Sequence, residues 1–188
     1  KSPACKIISA LCSIASSKQD TIVHTFEIIR KCLRGDPPSD IQVLSKIPLS
    51  LSDGDGLGNN IKIPMFVISG NHDPPSGTYQ RSAVEIFSES EHVNYFKYED
   101  LKDENGDLIL RPVELKIRDQ FLAIYGLPFI ADERFHELLS KGSIKISPPI
   151  YGSGRSYSIC LIHQNFAMRD NSFPLVEKMV ECGFDRMN

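Results

Sequence analysis

Met65-Phe66-Val67-Ile68-Ser69-Gly70-Asn71-His72-Asp73 is the stretch whose reading decides the fold. A short apolar run, preceded by Pro64, gives way at once to a glycine and three side chains of different chemistry. Such a run reads as a buried strand, and its polar tail as a loop at the C-terminal end of that strand, where open α/β sheets place their chemistry. Glycine permits the sharp turn, so that an amide oxygen, an imidazole and a carboxylate project from one point. That set suits metal-assisted hydrolysis of a phosphate ester.

Each residue type has a physical reason to be there. The carbonyl oxygen of Asn71 is a neutral, hard ligand that can hold Mn2+ or Mg2+ without adding negative charge beside a phosphodiester. His72 stands beside the metal, and an imidazole held in one tautomer by Asp73 can give a proton to the leaving oxygen. The general scheme is in-line displacement between two cations. Read alone, the same four residues also fit a polar turn whose Asn and Asp cap the next helix. A second apolar run, Ser158-Ile159-Cys160-Leu161-Ile162, ends in His163-Gln164-Asn165. Two strand ends that each release an imidazole suggest convergence on one site.

The rest of the chain alternates helical and extended patterns. Ile22, Phe26, Ile29 and Leu33 form a stripe for an amphipathic helix over 21–34, stopped by Gly35 and Pro37. Residues 35–62, rich in Pro, Gly, Ser and Asp, read as one long loop. A helix is expected from about 78 to 91, with Val84 and Phe87 among its apolar points. Val113, Leu115 and Ile117 alternate with Glu114, Lys116 and Arg118 as a half-buried strand, and Asp119-Gln120 turns it into Phe121–Tyr125. A helix over 132–141 stops at Gly142, and a last one has Pro174 near its start and Gly183 past its end. Strands alternating with helices and chemistry at strand ends indicate an α/β layered sandwich.

With 188 residues, 41% hydrophobic and 24% charged, the chain can bury one sizeable core. A net charge of −3 does not favour nucleic-acid binding, which usually needs a basic face, so phosphate contacts must come from a local cluster, from metal ions or from missing segments. Arg81, Arg155 and Arg169 are candidates for such contacts, with solvated surface charge as the plainer alternative. Cys5, Cys12, Cys32, Cys160 and Cys182 are odd in number and form no Cys-x-x-Cys pair, which reads as reduced thiols in an intracellular protein. Cys160 and Cys182 read as core fillers. His24, His92 and His136 read as ordinary surface groups and receive no role. No stretch approaches the ~20 consecutive apolar residues of a membrane span. Residues 1–20 stay unassigned; their serine-broken apolar stretch could pass for a weak signal sequence or a short amphipathic helix, and a spliced, mistranslated or divergent segment is as plausible as a targeting role.

Gly70-Asn71-His72-Asp73 is a signature of calcineurin-like metallophosphoesterases, and the surrounding text narrows the resemblance. Pro75-Ser76-Gly77, Ser82–Phe87, Val93-Asn94-Tyr95-Phe96, Tyr125-Gly126-Leu127, Asp132-Glu133-Arg134 and Ile162–Asn165 resemble the meiotic-recombination-eleven family of double-strand-break repair nucleases. Arg30–Pro37 followed by Val43-Leu44-Ser45 resembles its eukaryotic branch. The match runs colinearly from about Thr21 to Asn188.

The resemblance implies a four-layer αββα metallophosphoesterase sandwich, present here in part over 21–188. It implies a nuclear DNA exo- and endonuclease with two Mn2+ ions, Asn71 and His163 as metal ligands, His72 as catalytic acid and Asp73 orienting it. It also implies a homodimer built through the helices near 21–34 and 78–91, a coiled-coil SMC-like ATPase partner, and a nibrin-type partner at the 35–62 loop. The family's Asp-x-His and second Asp upstream, and its Gly-His-x-His downstream, are not in this sequence. The expectation is therefore a fragment, inactive in isolation because most metal ligands are missing. Two other readings stay open: another metallophosphoesterase, such as a phosphodiesterase or phosphatase, and a non-catalytic dimerisation scaffold.

Overall fold

A computed structural model of the chain describes residues 19–35, 40–45, 63–71, 81–150 and 155–164, without the side chains of Gln19, Thr21 and Arg155. In chain order the elements are α1 (Gln19–Leu33), β1 (Ile41–Val43), β2 (Phe66–Val67), α2 (Ala83–Glu89), β3 (Asn94–Tyr95) and α3 (Tyr98–Leu101). They continue with β4 (Leu108–Leu110), β5 (Val113–Ile117), β6 (Gln120–Leu127), α4 (Asp132–Ser140), β7 (Ile144–Ile146) and β8 (Arg155–Ile162). The chain is α/β, and it divides into two units, 1–39 with 48–95 and 40–47 with 96–188.

In the first unit, the helical stripe does what its spacing predicts. Ile29 and Leu33 are fully buried with Val67, Val84, Phe87 and Val93, and Ile22 and Phe26 pack against them. The Phe26 ring lies 4.4 Å from that of Phe87, which joins α1 to α2. β2 is shorter than the apolar run suggested. It pairs in parallel with β3 through two residue pairs only, Phe66 with Asn94 and Val67 with Tyr95. Asn94 reinforces that pairing, since its Nδ2 and its backbone N–H both donate to the Met65 carbonyl, at 3.0 and 2.8 Å. α2 begins at Ala83, because Ser82 is extended and caps it. The Glu85 N–H donates to Ser82 Oγ at 3.3 Å while the Ser82 N–H donates to Glu85 Oε2 at 2.8 Å. A left-handed Glu91 (φ 56°) lies just past its end.

His92, expected on the surface, is only 7% exposed. Its Nδ1 lies 2.6 Å from the Ser90 carbonyl, and its ring stands edge-on to Phe26 at 5.4 Å. The amphipathic imidazole covers the end of the α1–α2 core, a packing role that residue identity alone does not reveal. His24 and His136 are exposed, as the sequence suggests.

The second unit carries a four-stranded sheet in the order β1-β5-β6-β8. β1, β5 and β6 run antiparallel, and β8 runs parallel to β6 over eight residue pairs, Gln120 with Arg155 through Leu127 with Ile162. β4 and β7 form a separate parallel pair. Leu108, Leu110, Tyr125, Leu127, Leu138 and Ile144 belong to one buried core, with Cys160 and Ile162 against it. β1 was not expected. It interrupts the 35–62 stretch, whose other parts, 36–39 and 46–62, lie outside the described residues. Three residues carry too little pattern to announce a strand, and pairing with β5 creates it.

The β5–β6 hairpin is present, but its loop is Arg118-Asp119, one residue earlier than expected, with Arg118 at φ 55°. Glu114 departs from the alternation: it is buried, and its Oε1 accepts the Ile150 N–H at 3.0 Å. A paired carboxylate is tolerated where a free one is not. α4 ends as read, with Gly142 at φ 66°. The helix between Pro174 and Gly183 lies outside the described residues.

Candidate active site

Two strand ends were expected to carry the chemistry, and they fall in different units. In the first, the chain leaves β2 after the buried Val67, runs through a half-buried Gly70 and turns at Asn71, which is exposed. His72 and Asp73 lie outside the described residues. In the second, β8 ends at Ile162 and His163 follows at once, exposed.

The surroundings of His163 follow from strand direction. Parallel strands release their C-termini on the same edge of a sheet. Because Leu127 pairs with Ile162 at the end of the ladder, Pro128-Phe129 and His163-Gln164 leave it side by side. The Phe129 ring meets the imidazole of His163 at 6.1 Å and 71°. Gln164 Nε2 donates to the Pro128 carbonyl at 3.0 Å. Phe129 and Gln164 were not singled out as site residues in the sequence. Their signal was positional: one follows the strand Phe121–Tyr125 and its Gly126-Leu127, and the other sits inside the His163-Gln164-Asn165 cluster.

Burial pushes the thiol of the nearby Cys160 up to about 12, so the free thiol keeps its proton at neutral pH. Arg81, a candidate for phosphate contact, is paired with Glu89 at 3.1 Å. The side chains of Arg155 and Arg169 lie outside the described residues.

No protein-family model matches the chain. Several curated proteins do. It is 33% identical over 159 residues to the double-strand break repair protein MRE11 of Oryza sativa subsp. japonica, covering 78% of this chain and 23% of the rice protein. It is 32% identical over 174 residues to the human protein of that name, covering 87% of this chain and 24% of that protein. The chain belongs to the MRE11 family. Against the Arabidopsis thaliana MRE11 protein it is 30% identical over 190 residues, covering 85% of this chain and 26% of the relative. The chain thus spans about a quarter of the length of the MRE11 proteins it matches.

Membership of the MRE11 family carries the metallophosphoesterase fold with it, in agreement with the α/β order of elements described above. Among the described residues, however, no three His, Cys, Asp or Glu side chains gather where a metal ion could be held. The described residues therefore do not complete a coordination shell. No helix among them is long and apolar enough to cross a membrane.

Proposed function

We propose that the chain is part of a nuclear, manganese-dependent DNA exo- and endonuclease that processes the ends of double-strand breaks. The observation that carries this reading is the colinear similarity to MRE11 proteins over 78 to 87% of the chain. The position of His163 directly after a strand that parallels β6 supports it. Asn71 and His163 are the proposed metal donors of this chain. When bound, two manganese ions supply charge neutralisation to the phosphodiester. His72 donates the proton to the departing oxygen, and Asp73 fixes the tautomer in which it can do so.

The partner assignments belong to the same proposal. A homodimer through α1 and α2 is part of the same proposal; each helix leaves one apolar side chain in water, Val23 at 58% and Ile86 at 41% exposure. A coiled-coil SMC-like ATPase and a nibrin-type protein complete the proposed assembly.

The discriminating experiment gives the protein that contains this chain a choice of substrates in Mn2+: linear duplex DNA, or small phosphodiesters. Shortening of the duplex supports the nuclease. Turnover of small phosphodiesters alone means another metallophosphoesterase. A second reading is a dimerisation scaffold without catalysis. Light scattering on this chain tests it, since a strictly monomeric result at high concentration removes its basis.

A further inference from the structure

Between β7 and β8 the chain carries two consecutive prolines, Pro148 and Pro149, and its backbone is fastened on both sides of them. The Ser147 N–H donates to the Leu110 carbonyl at 2.9 Å, and the Ser147 carbonyl accepts the Tyr125 hydroxyl at 2.9 Å. Beyond the prolines, the Ile150 N–H donates to Glu114 Oε1 at 3.0 Å. Both side chains that do the fastening are buried, Tyr125 completely and Glu114 to 9% exposure. What they hold is not. Pro148 is exposed and Pro149 half-buried, and Ile150, at 85%, is the most exposed large apolar side chain among the described residues.

Chain chemistry sets the shape of this strip. Each proline ring fixes its own φ near about −65°, and the residue before a proline is kept out of the helical region. Ser147 and Pro148 therefore take the extended backbone of a polyproline helix. Neither proline has an N–H, and among the described residues neither proline carbonyl accepts a hydrogen bond. Exposed proline rings with unused carbonyls are what aromatic-lined grooves recognise: rings of the groove stack on the prolines, and indole or phenol donors reach the carbonyls. In the sequence Tyr151 comes next, outside the described residues, and completes the order Pro-Pro-x-Tyr that one class of WW domain reads.

We propose that Pro148–Ile150 is a docking strip for a WW-type domain, a small partner whose aromatic groove reads prolines. A strip held extended before it docks loses little freedom on binding, and Tyr125 and Glu114 supply that hold. The docking strip does not depend on any metal or on the nuclease reading.

The test titrates an isotope-labelled WW domain of the Pro-Pro-x-Tyr-reading class with the protein that contains this chain, and follows the indole N–H signals of the domain by NMR. The unsubstituted protein shifts or broadens them to saturation. Pro148→Ala and Pro149→Ala together weaken binding about 10-fold or more, the effect of removing a central contact, and leave the melting curve unchanged. Tyr125→Phe removes only the hydroxyl that holds Ser147, and it weakens binding several-fold while the circular dichroism spectrum stays the same. A free peptide of residues 146–152 binds more weakly than the protein, because nothing holds it extended. The absence of any saturable change with the unsubstituted protein overturns the proposal, and so does binding that survives both proline substitutions. Binding of the peptide without binding of the protein overturns it too, since the strip would then be closed off against the sheet. Equal affinity of the Tyr125→Phe variant, the peptide and the unsubstituted protein refutes the preset strip.

Discussion

Gly126→Ala is the most demanding perturbation of the sheet that carries His163. Gly126 is buried in β6, paired in register with Leu161 of β8. A methyl group there would meet Phe96 at 2.3 Å from Cγ and Cδ2 and 2.6 Å from Cβ. Carbon atoms rest at about 3.5–4.0 Å, so the overlap exceeds ~1 Å. Because the stem of Phe96 is struck as well as its ring, rotating the ring does not relieve the clash. Overpacking of this kind costs about 1–3 kcal/mol, and the closeness of three atoms places it at the upper end. The lost flexibility of the unfolded chain returns ~0.4–1 kcal/mol. A net loss of roughly 2 kcal/mol lowers Tm by about 4–8 °C in a chain of this size. Urea unfolding and a thermal melt read it directly. The double-mutant cycle with Phe96→Ala isolates the cause, since in that background the added methyl has nothing to strike. A Tm change below ~1 °C, or an equal loss in the Phe96→Ala background, would refute the reasoning.

Three further outcomes rest on other local contacts. Ser82→Ala removes the Oγ that accepts the Glu85 N–H at 3.3 Å and opens the capping box of α2, at a cost of about 1 kcal/mol in urea unfolding; Ser82→Asp, which restores an acceptor, should recover most of it. Cys160 should resist thiol reagents at pH 8 in the folded chain and react in urea, as read by peptide mass mapping; equal rates in both states would contradict its burial. Its thiol keeps its proton to about 12 when folded, against an ordinary value of 9.0, so the folded state binds that proton more tightly. The associated stability is complete below pH 9 and is lost as the pH rises from there toward 12.

How much of this was legible in the sequence depended on how local the cause was. The α1 stripe was legible because Ile22, Phe26, Ile29 and Leu33 repeat at the helical period, and that period meets one core. The start of α2 was written in Ser82-x-x-Glu85, a local signal passed over in favour of an earlier start. β1 was not legible, because Ile41–Val43 becomes a strand only by pairing with residues more than seventy positions away. Glu114 and His92 were misread for a related reason: their burial is decided by Ile150 in one case and by Phe26 and Ser90 in the other. Of the site, the strand-end positions of Asn71 and His163 were readable from apolar runs that stop at polar clusters. The Gln164–Pro128 bond was not, since it depends on the parallel register of β8 with β6.

The central claim is that the Gly70–Asp73 segment carries the chemistry of a DNA nuclease, with His72 as the proton donor. The most direct measurement compares Mn2+-dependent shortening of linear duplex DNA by the protein containing this chain with that of its His72→Gln variant, alongside melting curves for both. The account predicts a loss of at least ~100-fold in rate, in line with the removal of a general acid, with the melting temperature unchanged. Full activity in the variant, or no cleavage of duplex DNA by the unsubstituted protein, would contradict it.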